Sequence, residues 1–232
     1  AGHNDILVAR RGSFWHGLRS VVALGARHIA SGSDHLVFLF TLVLVAPLAF
    51  VRRGWQGRRC RRETLLQLAG VVSAFTVGHS LTLALGAVGW VALPATLVEV
   101  AIALSILVTA IHAIRPIFPR REALVAAAFG LIHGLGFAST LSGRNLSGAQ
   151  TVWTLLGFNV GIELAQLGLL ALVVPWLLLL ARTRAYEPFR VLGGGSAATL
   201  ALGWMVERIA NVPSPTALPL AWLEQHPLLL LF

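Results

Sequence analysis

The chain has 232 residues, 56% hydrophobic and 12% charged, with a formal net charge of +9 and a mean hydropathy of +0.79. Soluble domains carry about 25% charged residues, so the composition excludes an ordinary soluble domain. It indicates a polytopic, all-α membrane protein with room for six or seven spans of about 20 residues. The positive charge is entirely arginine, clustered in short loops between apolar runs. The basic pI therefore reflects membrane topology, and nucleic acid is not an expected partner. The single cysteine, Cys60, excludes an intrachain disulfide and CxxC metal chemistry. The chain begins with Ala1 rather than Met, so an N-terminal piece such as a removed signal peptide is expected before it.

In chain order, residues 13–31 have apolar residues at helical spacing but carry Arg19, Arg27, His16 and His28. An amphipathic or half-inserted helix is expected there. Six spans follow, at about 34–51, 64–88, 91–114, 122–141, 149–181 and 190–210, the fifth bending near Pro175. The proline-broken tail, 213–232, is expected along the membrane surface. One membrane domain is expected over residues 1–212, ahead of that tail.

The loops set the orientation. Arg52, Arg53, Arg58, Arg59, Arg61 and Arg62 follow the first span. Arg115, Arg120 and Arg121 follow the third, and Arg182, Arg184 and Arg190 follow the fifth, whereas the alternate loops hold only Arg144. The arginine-rich loops are expected on the cytoplasmic side of a bacterial inner membrane.

Several ionisable residues lie in or at the mouths of these apolar segments. Each costs about 2.5–3.5 kcal/mol at the centre of a span, so such residues face a bundle interior and serve a function there. Counted at about 1.5 Å per residue, Asp34 and His35 fall at the outer mouth. Glu99 lies about 12 Å inside its span. His79, His133, Asn159 and Glu163 fall in the middle or outer half, and His112 near the cytoplasmic end.

Three stretches carry candidate chemistry. In RHIASGSDHLVFLF, His28, Asp34 and His35 flank a break made by Ser31, Gly32 and Ser33. Three strong ligand types at one mouth suit a divalent transition metal, although Asp34 could simply cap the following helix. In VGHS and LIHGLGFAS, His79 and His133 each sit beside a glycine, with Ser80 next to His79. Glu99 and Glu163 could each orient one of these imidazoles, or the pairs could be purely structural. In GFNVGIELAQLGLL, Asn159, Glu163 and Gln166 share one helix face, lining a cavity or serving as interhelical glue. FTVGHSLTLAL and FGLIHGLGFAS align as a short repeat, Phe75 with Phe129 and His79 with His133.

Together RHIASGSDHLVFLF, VGHSLTLAL, LIHGLGFA and FNVGIELAQ resemble the HupE/UreJ family of hydrogenase- and urease-associated membrane proteins, over about residues 14–210. The resemblance implies a nickel permease or another metal-handling membrane protein. The first motif also resembles the nickel/cobalt permease signature RHAxDADH, with two departures: the step from His28 to His35 is seven rather than six, and the middle aspartate is absent.

The expected function is thus a permease or binding protein for a divalent transition metal, nickel first, with cobalt, copper or zinc possible. His28, Asp34, His35, His79, Glu99, His133 and Glu163 are the expected ligands. Ser80, His112, Asn159 and Gln166 line the path. The expected partners are the metal ion, the lipid bilayer and either further copies or metalloenzyme-maturation proteins. The alternative is an intramembrane zinc-dependent hydrolase with a His/Asp site near the outer leaflet.

Overall fold

The computed structural model describes residues 14–52, 54–91, 93–142 and 148–211. The expected tail at 213–232, Arg144 and the first twelve residues lie outside them. Seven helices and one hairpin are present among the described residues: α1 (Phe14–Ser31), α2 (Ser33–Val43), β1 (Leu48–Val51), β2 (Gly54–Arg58), α3 (Arg61–Ala87), α4 (Ala95–Ile114), α5 (Glu122–Ser142), α6 (Gly148–Leu180) and α7 (Tyr186–Ala210). Three of them contain stretches long and apolar enough to cross a membrane: Arg61–Ala87, Ala95–Ile114 and Gln150–Leu180.

The first expected span requires correction. It stops as a helix at Val43, and its 11 residues reach only about 16 Å. Pro47 brings no N–H and disfavours helix at the residue before it. The rest of the run, Leu48–Val51, pairs antiparallel with Gly54–Arg58, Phe50 opposite Trp55 and Val51 opposite Gly54. Arg52 at the turn has φ 45. Among the described residues the bundle is therefore helical apart from one two-stranded hairpin. An apolar run of this length does not distinguish strand from buried helix by periodicity.

The other boundaries have local causes. Cys60 caps α3: its Sγ accepts from Glu63 N at 3.5 Å and its own N–H donates to Glu63 Oε2 at 3.1 Å. This is a capping box with a thiol in place of a hydroxyl. Pro94 delays α4 to Ala95 rather than 91. α6 continues as one helix through Pro175.

Two glycine crossings set the helix pairs. A Cβ on Gly78 would strike the Ala127 carbonyl, and one on Gly130 would strike the Phe75 carbonyl. α3 and α5 thus meet backbone to backbone. Gly134, further along α5, meets Thr82 and His79, further along α3, so the two repeat-bearing helices run parallel. Gly25 and Gly161 make the same reciprocal crossing between α1 and α6. Gly157 meets Leu18 and Val21, earlier on both helices, so α1 runs lengthwise and parallel to α6.

The arginine-bearing connections gather at one end. Tyr186 Oη donates to Leu44 O at 2.6 Å, Arg59 Nη1 to Ala46 O at 3.3 Å, and Trp55 Nε1 to His112 O at 3.0 Å. Arg190, almost fully buried, donates to the carbonyls of Ala113 and Ile114 at the end of α4.

Candidate metal centre

α1 ends and α2 begins across Gly32, which has φ −83 and ψ 99. His28 lies in the last turn of α1 and His35 in the first turn of α2. Gly32 also leaves room: a Cβ there would lie 2.7 Å from His35 Nδ1, 2.9 Å from His28 O and 3.0 Å from Asp34 Oδ1. Asp34 does not cap α2, whose N-cap is Gly32. Its Oδ1 lies 3.1 Å from His35 Nδ1. An ionised carboxylate only accepts, so His35 Nδ1–H donates and the Nε2 lone pair is left for another partner.

His79 on α3 and His133 on α5 complete the cluster. The ring centroid of His35 lies 4.7 Å from that of His28, 6.3 Å from His79 and 5.1 Å from His133. His79 is 0% exposed, His133 2% and His35 5%. Phe38 and Phe75 wall the cluster, with centroids 5.3 and 5.1 Å from His133. Phe158 packs on His28 at 5.4 Å.

Ser105 on α4, which the sequence reading passed over, orients His133. Its hydroxyl donates to Ile102 O at 2.7 Å, so its oxygen accepts from His133 Nε2–H at 2.9 Å. That tautomer puts the His133 lone pair on Nδ1, an orientation of the kind outer partners give to metal-ligating imidazoles. A lone serine in an apolar span was the only signal.

The geometry suits a metal. Ligand atoms of His28, His35 and His79 lie within 4.8 Å of one another, as do those of Asp34, His35 and His133. His35 Nε2, His133 Nδ1 and both nitrogens of His79 are buried with no hydrogen-bond partner among the described residues. A buried polar group left unpaired costs about 1–3 kcal/mol, and ligation by an acceptor of lone pairs relieves that cost.

The other expected site residues lie elsewhere. Glu99 is not beside a histidine: its carboxylate is 49% exposed and pairs with Arg208 Nε at 3.3 Å. Glu163 accepts from Ser73 Oγ at 2.6 Å, and Gln166 accepts from Thr76 Oγ1 at 3.1 Å. These two bridges form a polar seam between α3 and α6, one and two turns below His79. Glu163 Oε2 and Asn159 Oδ1 are buried without a partner among the described residues. Ser80 donates to its own helix at Thr76 O, 2.6 Å away.

His112 is held in the α4–α5 turn. Its Nδ1 accepts from Ile117 N and Phe118 N at 3.1 and 3.3 Å, and its ring stacks on Phe118 with centroids 3.7 Å apart. Its Nε2 lies 3.9 Å from Glu122 Oε1.

Long apolar helices closed over four imidazoles and one carboxylate define a membrane helix bundle with a buried cluster of metal-ligand chemistry. HupE / UreJ protein is the family that matches, over residues 4–208, and the chain belongs to it. Membership points to a metal transport or accessory role. No curated protein and no solved structure gave a match.

Proposed function

We propose that the protein is a permease for a divalent transition metal in the bacterial inner membrane, with nickel or cobalt as cargo and the arginine-rich end cytoplasmic. The observation that carries this reading is the convergence of His28, His35, His79 and His133 with Asp34, from four helices, with buried nitrogens of His35, His79 and His133 lacking a hydrogen-bond partner among the described residues. Imidazole suits nickel, cobalt, copper and zinc, and Irving–Williams order means that affinity alone does not select among them. The seam of Ser73, Glu163, Thr76 and Gln166 continues polar contacts away from the cluster, as a path requires.

The reading is tested in proteoliposomes carrying an internal metal-sensitive dye. The wild type should admit nickel or cobalt under a pH gradient or a voltage, and His79→Ala should slow entry by tenfold or more, about the loss expected for a damaged metal site. A second reading, a zinc-dependent hydrolase, is supported by the compactness of the His28, His35 and His79 group, which leaves a fourth position for water. No metal entry, together with zinc-dependent cleavage of a lipid or peptide, would favour it.

A further inference from the structure

We propose that the cluster holds one divalent ion in two alternative positions that share His35, and that the ion is handed from one to the other inside the bundle. The inference rests on the metal-handling reading above. An imidazole nitrogen binds such an ion at about 2.1 Å, so two ligands on one ion lie no more than about 4.2 Å apart. Within each triad, His28–His35–His79 and Asp34–His35–His133, the ligand atoms are already within 4.8 Å of one another. A small closure completes either triad, and His35 is the only member common to both.

Two ions cannot be held at once. A neutral imidazole has a single lone pair, on one nitrogen at a time, so His35 serves one ion whichever nitrogen it offers. A second dication would also face the first across a few ångströms of low-dielectric interior, with one carboxylate against four positive charges.

The positions differ in ways that give a direction. The Asp34 triad draws two neighbours from α2 and one residue from α5, and its carboxylate offsets half the ion's charge. The His28 triad draws one residue each from α1, α2 and α3 and leaves the ion fully charged. The first is the capture position. The second is the release position, and the Thr76 and Ser73 seam begins on the same helix as His79. α1 is packed on α6 and α2 on a different neighbour, α4, where Thr41 Oγ1 donates to Thr109 Oγ1 at 2.9 Å. His35 rides on α2, so a slight movement of α2 at the Gly32 break, towards α1 and α3 or towards α5, closes one triad as it opens the other.

Cobalt(II) tests this, because its visible spectrum reports the ligand set. Purified full-length protein in detergent is titrated as the wild type and as His79→Phe, His133→Phe and His35→Ala. The wild type should bind one cobalt per chain. Each phenylalanine variant should also bind one, with two different spectra whose weighted sum reproduces the wild type, and His35→Ala should bind none. Both phenylalanine variants should still slow transport, since each keeps one position and loses the exchange. Loss of binding in both variants would show one joint site. The wild-type spectrum in either variant would show a single triad, and two cobalts per chain would show independent sites. Any of these three results overturns the hand-over. No cobalt on the wild type would instead overturn the metal reading itself. Circular dichroism checks folding, and His79→Gln and His133→Gln give the same comparison where a phenylalanine variant does not fold.

Discussion

His28 and His35 bring their rings to 4.7 Å across the break between α1 and α2, and a single hydrogen at Gly32 makes that approach possible. Gly32→Ala places a methyl 2.7 Å from His35 Nδ1, closer than real side chains pack. The variant should keep its helices and lose metal affinity by about tenfold or more, as a disturbed ligand shell does. Calorimetric titration against the wild type reads the effect, and unchanged affinity would show that the break does not shape the site.

The α3–α5 crossing should be as sensitive as a packed core. Gly130→Ala drives a methyl into the Phe75 carbonyl, and overpacking costs about 1–3 kcal/mol. His79 and His133 sit on the two helices that must part, so thermal stability and metal affinity should fall together. A variant with reduced stability and intact affinity would separate the crossing from the site.

His112→Phe should do the reverse. It removes the acceptor for Ile117 N and Phe118 N, and each lost hydrogen bond is worth about 0.5–1.5 kcal/mol. Unfolding temperature should drop while metal stoichiometry holds. If metal binding is lost instead, His112 belongs to the path that its position in the sequence suggested.

Binding should weaken as pH falls. The ligating imidazoles must be neutral, and protonation removes the lone pair, so affinity should be steady at neutral pH and decline on strong acidification. Dye competition from neutral to strongly acidic pH follows it, and an affinity that does not change over that whole range would contradict ligation by imidazole.

Much of this molecule is legible in its sequence, and the misreadings have physical causes. α3, α5 and α6 follow from long apolar runs bounded by arginines, and their observed ends fall within a few residues of the expected ones. The run at 34–51 was misread because an apolar stretch is equally compatible with a helix or a buried hairpin, and Pro47 decided between them. In the site, each motif announced its histidine. The convergence of His79 and His133 on His35 was not readable, because span order does not say which helices touch. Glu99 carried the signature of a buried carboxylate, yet it finds Arg208 on α7, 109 residues away. Ser105 gave no signal beyond a hydroxyl in an apolar helix.

Glu163→Gln should separate binding from movement. Its carboxylate belongs to the α3–α6 seam and to neither triad. Metal should bind as in the wild type while proteoliposome entry slows, and equal flux in both proteins would remove the seam from the path.

The most direct test of the central claim is metal analysis of the purified protein after equilibrium dialysis against nickel or cobalt, for the wild type and His35→Ala. His35 touches every arrangement in which the cluster holds an ion. The wild type should retain one metal per chain and His35→Ala none, with both proteins folded. Equal retention by the two proteins would contradict the account.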